Sequence, residues 1–113
     1  RDVLKANRIV NYFAENSKEH PLVLTISSLH SFFVKLLRYH GLEDKSKENA
    51  AKALGVHPFY VNDYIAAAKN YPLTKLKEIF SWLREYDLRS KGMDNLSAKD
   101  GELLKELVWK ILH

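Results

Sequence analysis

The chain has 113 residues, enough for one hydrophobic core but not two, and its apolar fraction of 46% and charged fraction of 28% are those of an ordinary globular domain. Without cysteine it can hold neither a disulfide framework nor a thiolate metal site, which fits a reducing compartment, and a cytoplasmic location is expected. The net charge of +4 is mild, and bases alternate with acids: Lys45, Lys47 and Lys52 share a segment with Glu43, Asp44 and Glu48. Nucleic-acid binders gather their cations on one face, so scattered charge of this kind chiefly solvates a surface.

The first predicted helix runs from about Asp2 to Asn16, with Val3, Ala6, Val10 and Phe13 at helical spacing and Ile9 and Ala14 widening the stripe. A polar loop from Asn16 to His20 follows. The second predicted helix starts near Pro21 and carries Leu22, Ile26, Leu29, Phe33 and Leu36, broadened by Phe32 and Leu37, until Gly41 stops it. Thr25, Ser27, Ser28, His30, Ser31 and Lys35 interrupt this apolar stretch, so it is no membrane span. No signal peptide is recognised before the first helix. The chain opens at Arg1-Asp2 already inside a helical pattern, and that start reads as a cut made in a longer protein; His113 is compatible with a natural end.

Beyond a charged linker, Ser46 is placed to cap a short third helix whose Ala50, Ala51 and Leu54 form a small-residue contact face, with Gly55 ending it. A fourth helix is predicted from Pro58 to about Asn70, with Val61, Ile65 and Ala68 on one side and Tyr60, Tyr64 and Ala67 beside them. Pro58 and Pro72 suit helix starts, where the missing N–H has no intrahelical partner anyway. The fifth helix, from about Leu73 to Lys91, sets Leu73, Leu76, Phe80 and Leu83 on one stripe with Ile79 next to it. Residues 92–100 read as a polar loop in which Ser97 and Asp100 resemble a capping box. Leu104, Leu107, Val108 and Ile111 mark a sixth helix. No alternating strand pattern occurs, so the fold class is all-α: a single domain over residues 1–113, built as a compact bundle of five to six helices. The stretch from Leu54 to Gly92 organises it, because two wide apolar faces joined by a proline corner need the flanking segments to cover them.

Four features invite a functional reading. Ala50-Ala51-Lys52-Ala53-Leu54-Gly55-Val56 followed by a helix has the spacing of a helix-turn-helix, which would read DNA through the fourth helix. Its outward positions offer Asn62, Asp63 and Lys69 among Phe59, Tyr60, Ala66 and Ala67, a poor set for base edges, and a packed helix–helix corner is the preferred reading. Asp87 continues the count Leu73, Leu76, Phe80, Leu83 and so occupies the core register. A carboxylate there needs a partner, and a structural ion pair with Lys91 is expected in preference to an acid catalyst. The histidines, His20, His30, His40, His57 and His113, show no metal-ligand spacing, and the isolated glycines form no phosphate loop. Catalytic, cofactor and metal sites are therefore expected to be absent.

The fourth feature is aromatic. Trp82 shares its helical row with Lys75, Glu78, Glu85 and Arg89, and Trp109 shares its row with Glu102, Lys105 and Glu106. Each is either a rim residue of the core or an anchor for a protein partner. Phe32 and Tyr39 on the second helix, with Tyr60 and Tyr64 on the fourth, complete the candidate partner interface.

The ordered set Leu54-Gly55-Val56-His57-Pro58-Phe59-Tyr60-Val61, Tyr71-Pro72-Leu73 with Leu76, and Leu83-Arg84-Glu85-Tyr86-Asp87 with Lys91-Gly92 resembles the C-terminal part of the bacterial DNA polymerase III delta subunit. Ala6-Asn7-Arg8-Ile9-Val10-Asn11-Tyr12-Phe13-Ala14-Glu15-Asn16 and the Leu29, Phe32, Phe33, Leu36, Leu37 pattern extend the likeness over nearly the whole chain, in the form found in Bacteroidetes. The resemblance implies a non-catalytic accessory subunit of the clamp loader, whose C-terminal domain joins matching domains of gamma/tau-type and delta-prime-type subunits in a closed collar. It also implies that the AAA+-like modules lie N-terminal to this chain. DNA and the sliding clamp would then be contacted mainly by the whole complex. No small-molecule substrate, cofactor or membrane partner follows from it. Residues 92–100 have no clear counterpart in the family pattern.

Overall fold

A computed structural model describes residues 22–91 and 100–113, the side chains of residues 100 and 101 excepted. Five α-helices account for most of these residues: α1 Leu22–His40, α2 Lys47–Leu54, α3 Val61–Asn70, α4 Leu73–Ser90 and α5 Asp100–Leu112. A 3-10 turn, Pro58–Tyr60, precedes α3, and the described residues contain no strand. The predicted helix over residues 2–16, residues 92–99 of the loop predicted over 92–100 and the Ser97 half of the capping box lie outside the described residues, while Asp100, expected in that loop, is the first residue of α5.

The long helix α1 is the hub, packing against α2, α3, α4 and α5. Its buried set, Leu22, Ile26, Leu29, Phe33 and Leu36, is the stripe read from the sequence, joined by Thr25, Phe32 and Tyr39. A helix buried across so wide an arc is one covered from several sides. Arg38 places a cation in its last turn, where the carbonyl ends of the helix dipole favour it. Lys45 donates to the last carbonyl of the helix, that of His40, at 3.4 Å, and to the Leu42 carbonyl just beyond it at 2.8 Å.

Local chemistry sets the next boundaries. The Ser46 side chain accepts the Asn49 N–H at the start of α2, and the Ser46 N–H in turn donates to the Asp44 carboxylate at 2.9 Å. The bond from the Ser46 N–H first, and then one from the Ser46 hydroxyl, hold the Asp44 carboxyl below its ordinary range. Gly55 ends α2 in the left-handed conformation, φ 68°, its N–H and that of Val56 closing on Lys52 and Ala51 carbonyls. Gly41, by contrast, ends α1 without positive φ, through bonds from its N–H to the Leu37 and Arg38 carbonyls.

The fourth predicted helix is divided. The His57 Nδ1 accepts the Phe59 N–H at 3.0 Å, and the Tyr60 N–H donates to the His57 carbonyl at 2.9 Å in a three-residue step. With Pro58 holding its own φ near the helical value, this tight turn forms first and the α-helix begins only at Val61.

The face of α4 is rotated from the one the spacing suggests. Leu76, Ile79, Leu83 and Tyr86 are buried, whereas Leu73 is 53% exposed and Phe80 is only partly covered. Both sets have helical spacing. Tyr86 wins the register over Asp87 because a phenol ring brings far more apolar area to the core than a carboxylate does. Leu103, Leu104, Leu107, Val108 and Ile111 of α5 close the core over it.

Candidate assembly surface

Among the described residues, no group of three or more His, Cys, Asp or Glu side chains could hold a metal ion. No described helix is long and apolar enough to cross a membrane. What the fold positions instead is a set of aromatic and apolar side chains with different degrees of cover.

Three of the six aromatics expected at a partner interface lie inside the chain's own core. Phe32, Tyr39 and Tyr64 are each 7% exposed. The Phe32 and Tyr64 rings stack at 5.0 Å and tie α1 to α3, while Phe33 meets Phe32 and Tyr71 edge-on at 5.1 and 5.4 Å. Burial, helped by the neighbouring Asp63 charge, raises the Tyr64 phenol, and burial alone pushes the Tyr71 phenol up to about 12. These rings are structural because α1 is covered on both flanks, which a helical stripe does not reveal by itself.

The other three remain at the surface to different extents. Trp82 is half-covered, packed against the core with the Lys75 ammonium 5.0 Å from its ring. Trp109 is 63% exposed on α5, stacked on His113 at 4.9 Å. Tyr60 is 52% exposed beside Phe59, which at 73% is the most exposed large apolar residue described. Their rings meet edge-on at 5.4 Å at the corner between α2 and α3. Phe59 carries the same signal as Tyr60 in sequence. It falls outside the expected interface because a continuous helix from Pro58 would have made its direction one among several.

The Asp87–Lys91 contact forms at 3.0 Å, but at the surface: the two side chains are 33% and 55% exposed. The core register that the carboxylate was expected to occupy belongs to Tyr86. Its hydroxyl donates to Glu106 at 2.6 Å, and Arg89 and Lys110 each lie 5.1 Å from its ring. Arg89 also pairs with Glu85 at 3.0 Å and with Glu106 at 3.8 Å. Burial first, and then the bond to the Glu106 carboxylate, push the Tyr86 phenol far above its ordinary value. This network locks α5 onto α4. Of the histidines described, His40 donates its Nε2–H to the Tyr71 carbonyl at 2.9 Å and His30 meets Phe80 edge-on, so both have structural partners.

The helix-turn-helix face is no stronger in three dimensions. Ala66 and Ala67 are buried, leaving Asn62 and Lys69 exposed with Phe59 and Tyr60. A shallow groove of about 610 Å³ also runs between α1 and α4, with Ile26, Phe80 and Leu83 beneath it and Arg84 on its margin. The sequence pattern gave no sign of it, because it is made where two helices separated in the chain by α2 and α3 meet.

Fold and surface together define a helical bundle domain whose polar networks join its own helices and whose surplus is apolar and aromatic surface. The family described as DNA polymerase III delta subunit, C-terminal domain, matches residues 1–108. The chain belongs to that family. No curated protein and no solved structure matches it.

Proposed function

We propose that this chain is the collar domain of a clamp-loader delta subunit, docking beside the helical domains of gamma/tau-type and delta-prime-type subunits in the complex that loads the sliding clamp on primed DNA. The family match over residues 1–108 carries the reading. Supporting it, three large aromatics, Phe59, Tyr60 and Trp109, stay exposed on a domain that has filled its core with others. Aromatic rings left in water are the groups that supply most of the energy at protein interfaces. The domain acts by assembly, as a non-catalytic accessory part, and its partners are proteins; the Bacteroidetes-like pattern of its front half belongs to the same reading.

The test is co-elution with a clamp-loader motor subunit in size-exclusion chromatography, with a duplex-DNA shift assay alongside. Trp109→Ala is expected to weaken assembly while leaving the melting temperature within about 2 °C, because an exposed ring contributes little to the fold. Trp82→Ala is expected to lower stability by roughly 1–2 kcal/mol as well, since its ring is packed on the core. Absence of co-elution together with salt-sensitive duplex binding would replace the collar by the DNA-binding alternative.

A further inference from the structure

We infer that the groove between α1 and α4 is the seat for an amphipathic helix of a neighbouring subunit, one that presents an apolar row flanked by carboxylates. This rests on the collar reading and deepens it by naming one face and the chemistry of its occupant.

Length, floor and charge point the same way. Along α4 the groove extends from Phe80 to Lys91, roughly 16 Å at the helical rise, which accommodates about three turns of a partner helix. The floor is apolar: Ile26 and Leu83 lie almost wholly buried beneath it, while Phe80 is only partly covered. On the α1 side Val23 is 39% exposed, an aliphatic group facing water at the groove's edge. Ser27, one turn further on, is small enough to let another ridge of side chains settle between the two helices.

The margin is cationic. Asp87 is neutralised by Lys91 at 3.0 Å, whereas the exposed Arg84 between them and Phe80 has no carboxylate partner among the described residues. A guanidinium held beside an apolar trough selects a carboxylate at the edge of an otherwise apolar row. It also disfavours a second copy of this chain on the same face, because a two-fold contact through identical grooves would bring two unpaired Arg84 groups together. Among the described residues that line the groove, a nucleic acid would find Arg84 as the one unpaired lysine or arginine and no basic cluster, with His30 on the α1 side.

The experiment measures affinity of the full-length protein for the motor subunit, comparing wild type with Arg84→Glu, Ser27→Trp and Lys77→Glu. Lys77 is exposed on α4 and does not line the groove, so its variant controls for net charge. Arg84→Glu is expected to weaken binding about tenfold at low salt, with the loss shrinking as salt rises. Ser27→Trp should weaken it at least as much and independently of salt, while Lys77→Glu stays near wild type. Wild-type binding with unchanged Arg84→Glu and Ser27→Trp overturns the groove and leaves the collar reading standing; absent wild-type binding removes both. An equal loss in Lys77→Glu would show a generic charge effect and refute the inference. So would a large fall in the melting temperature of Ser27→Trp without its partner, which would assign the groove to the chain's own packing.

Discussion

Tyr86→Phe isolates the bond that pins α5 to α4. The substitution keeps the buried ring and removes only the hydroxyl, which donates to the Glu106 carboxylate at 2.6 Å. A hydrogen bond to a charged acceptor contributes about 1.5–3 kcal/mol when both partners are enclosed. Here the Glu106 side chain is 51% exposed, so in the variant it rehydrates and the expected cost falls to about 1 kcal/mol. For a domain of this size that is a fall in melting temperature of roughly 4 °C. Because Arg89 also reaches Glu106, the bond is separated by a double-mutant cycle of Tyr86→Phe with Glu106→Ala, followed by urea denaturation. A coupling near 1 kcal/mol is expected. Coupling within about 0.3 kcal/mol of zero would mean that packing alone holds α5 and that the polar network is incidental.

Two further predictions concern backbone and pH. Gly55→Ala should cost about 1 kcal/mol and Gly41→Ala close to nothing: an added Cβ meets nothing within 4 Å at Gly55, so the penalty there comes from φ 68° alone, while Gly41 has no positive φ and its Cβ would make only ordinary contact with the Arg38 carbonyl. Denaturant midpoints with unchanged slopes check this contrast. Stability should also fall in alkali. Burial raises the Tyr71 phenol from 10.0 to about 12, so its contribution is whole below pH 10 and is lost as pH rises from 10 to 12, on the order of 2 kcal/mol. Melting curves of wild type and Tyr71→Phe over that window, read with tyrosinate absorbance, should diverge, the variant losing less; parallel curves would refute the assignment.

The sequence by itself determined the all-α class and most helix limits, because those rest on local chemistry. Ser46 caps α2 with its own oxygen, Gly55 supplies the left-handed residue at its end, and the Leu22, Ile26, Leu29, Phe33, Leu36 stripe marks the buried side of α1. Family membership was legible for the same reason, as an ordered set of such local features. Periodicity fixes which residues share a side of a helix, but not how far around that side neighbours reach. Phe32, Tyr39 and Tyr64 therefore entered the core when α1 was covered on both flanks, and Tyr86 displaced Asp87 from the buried face of α4 once α5 lay across it. The groove beside Arg84, too, exists only where α1 and α4 meet. Which aromatics stay in water is a property of the assembled helices, since burial depends on contacts between residues far apart in the chain.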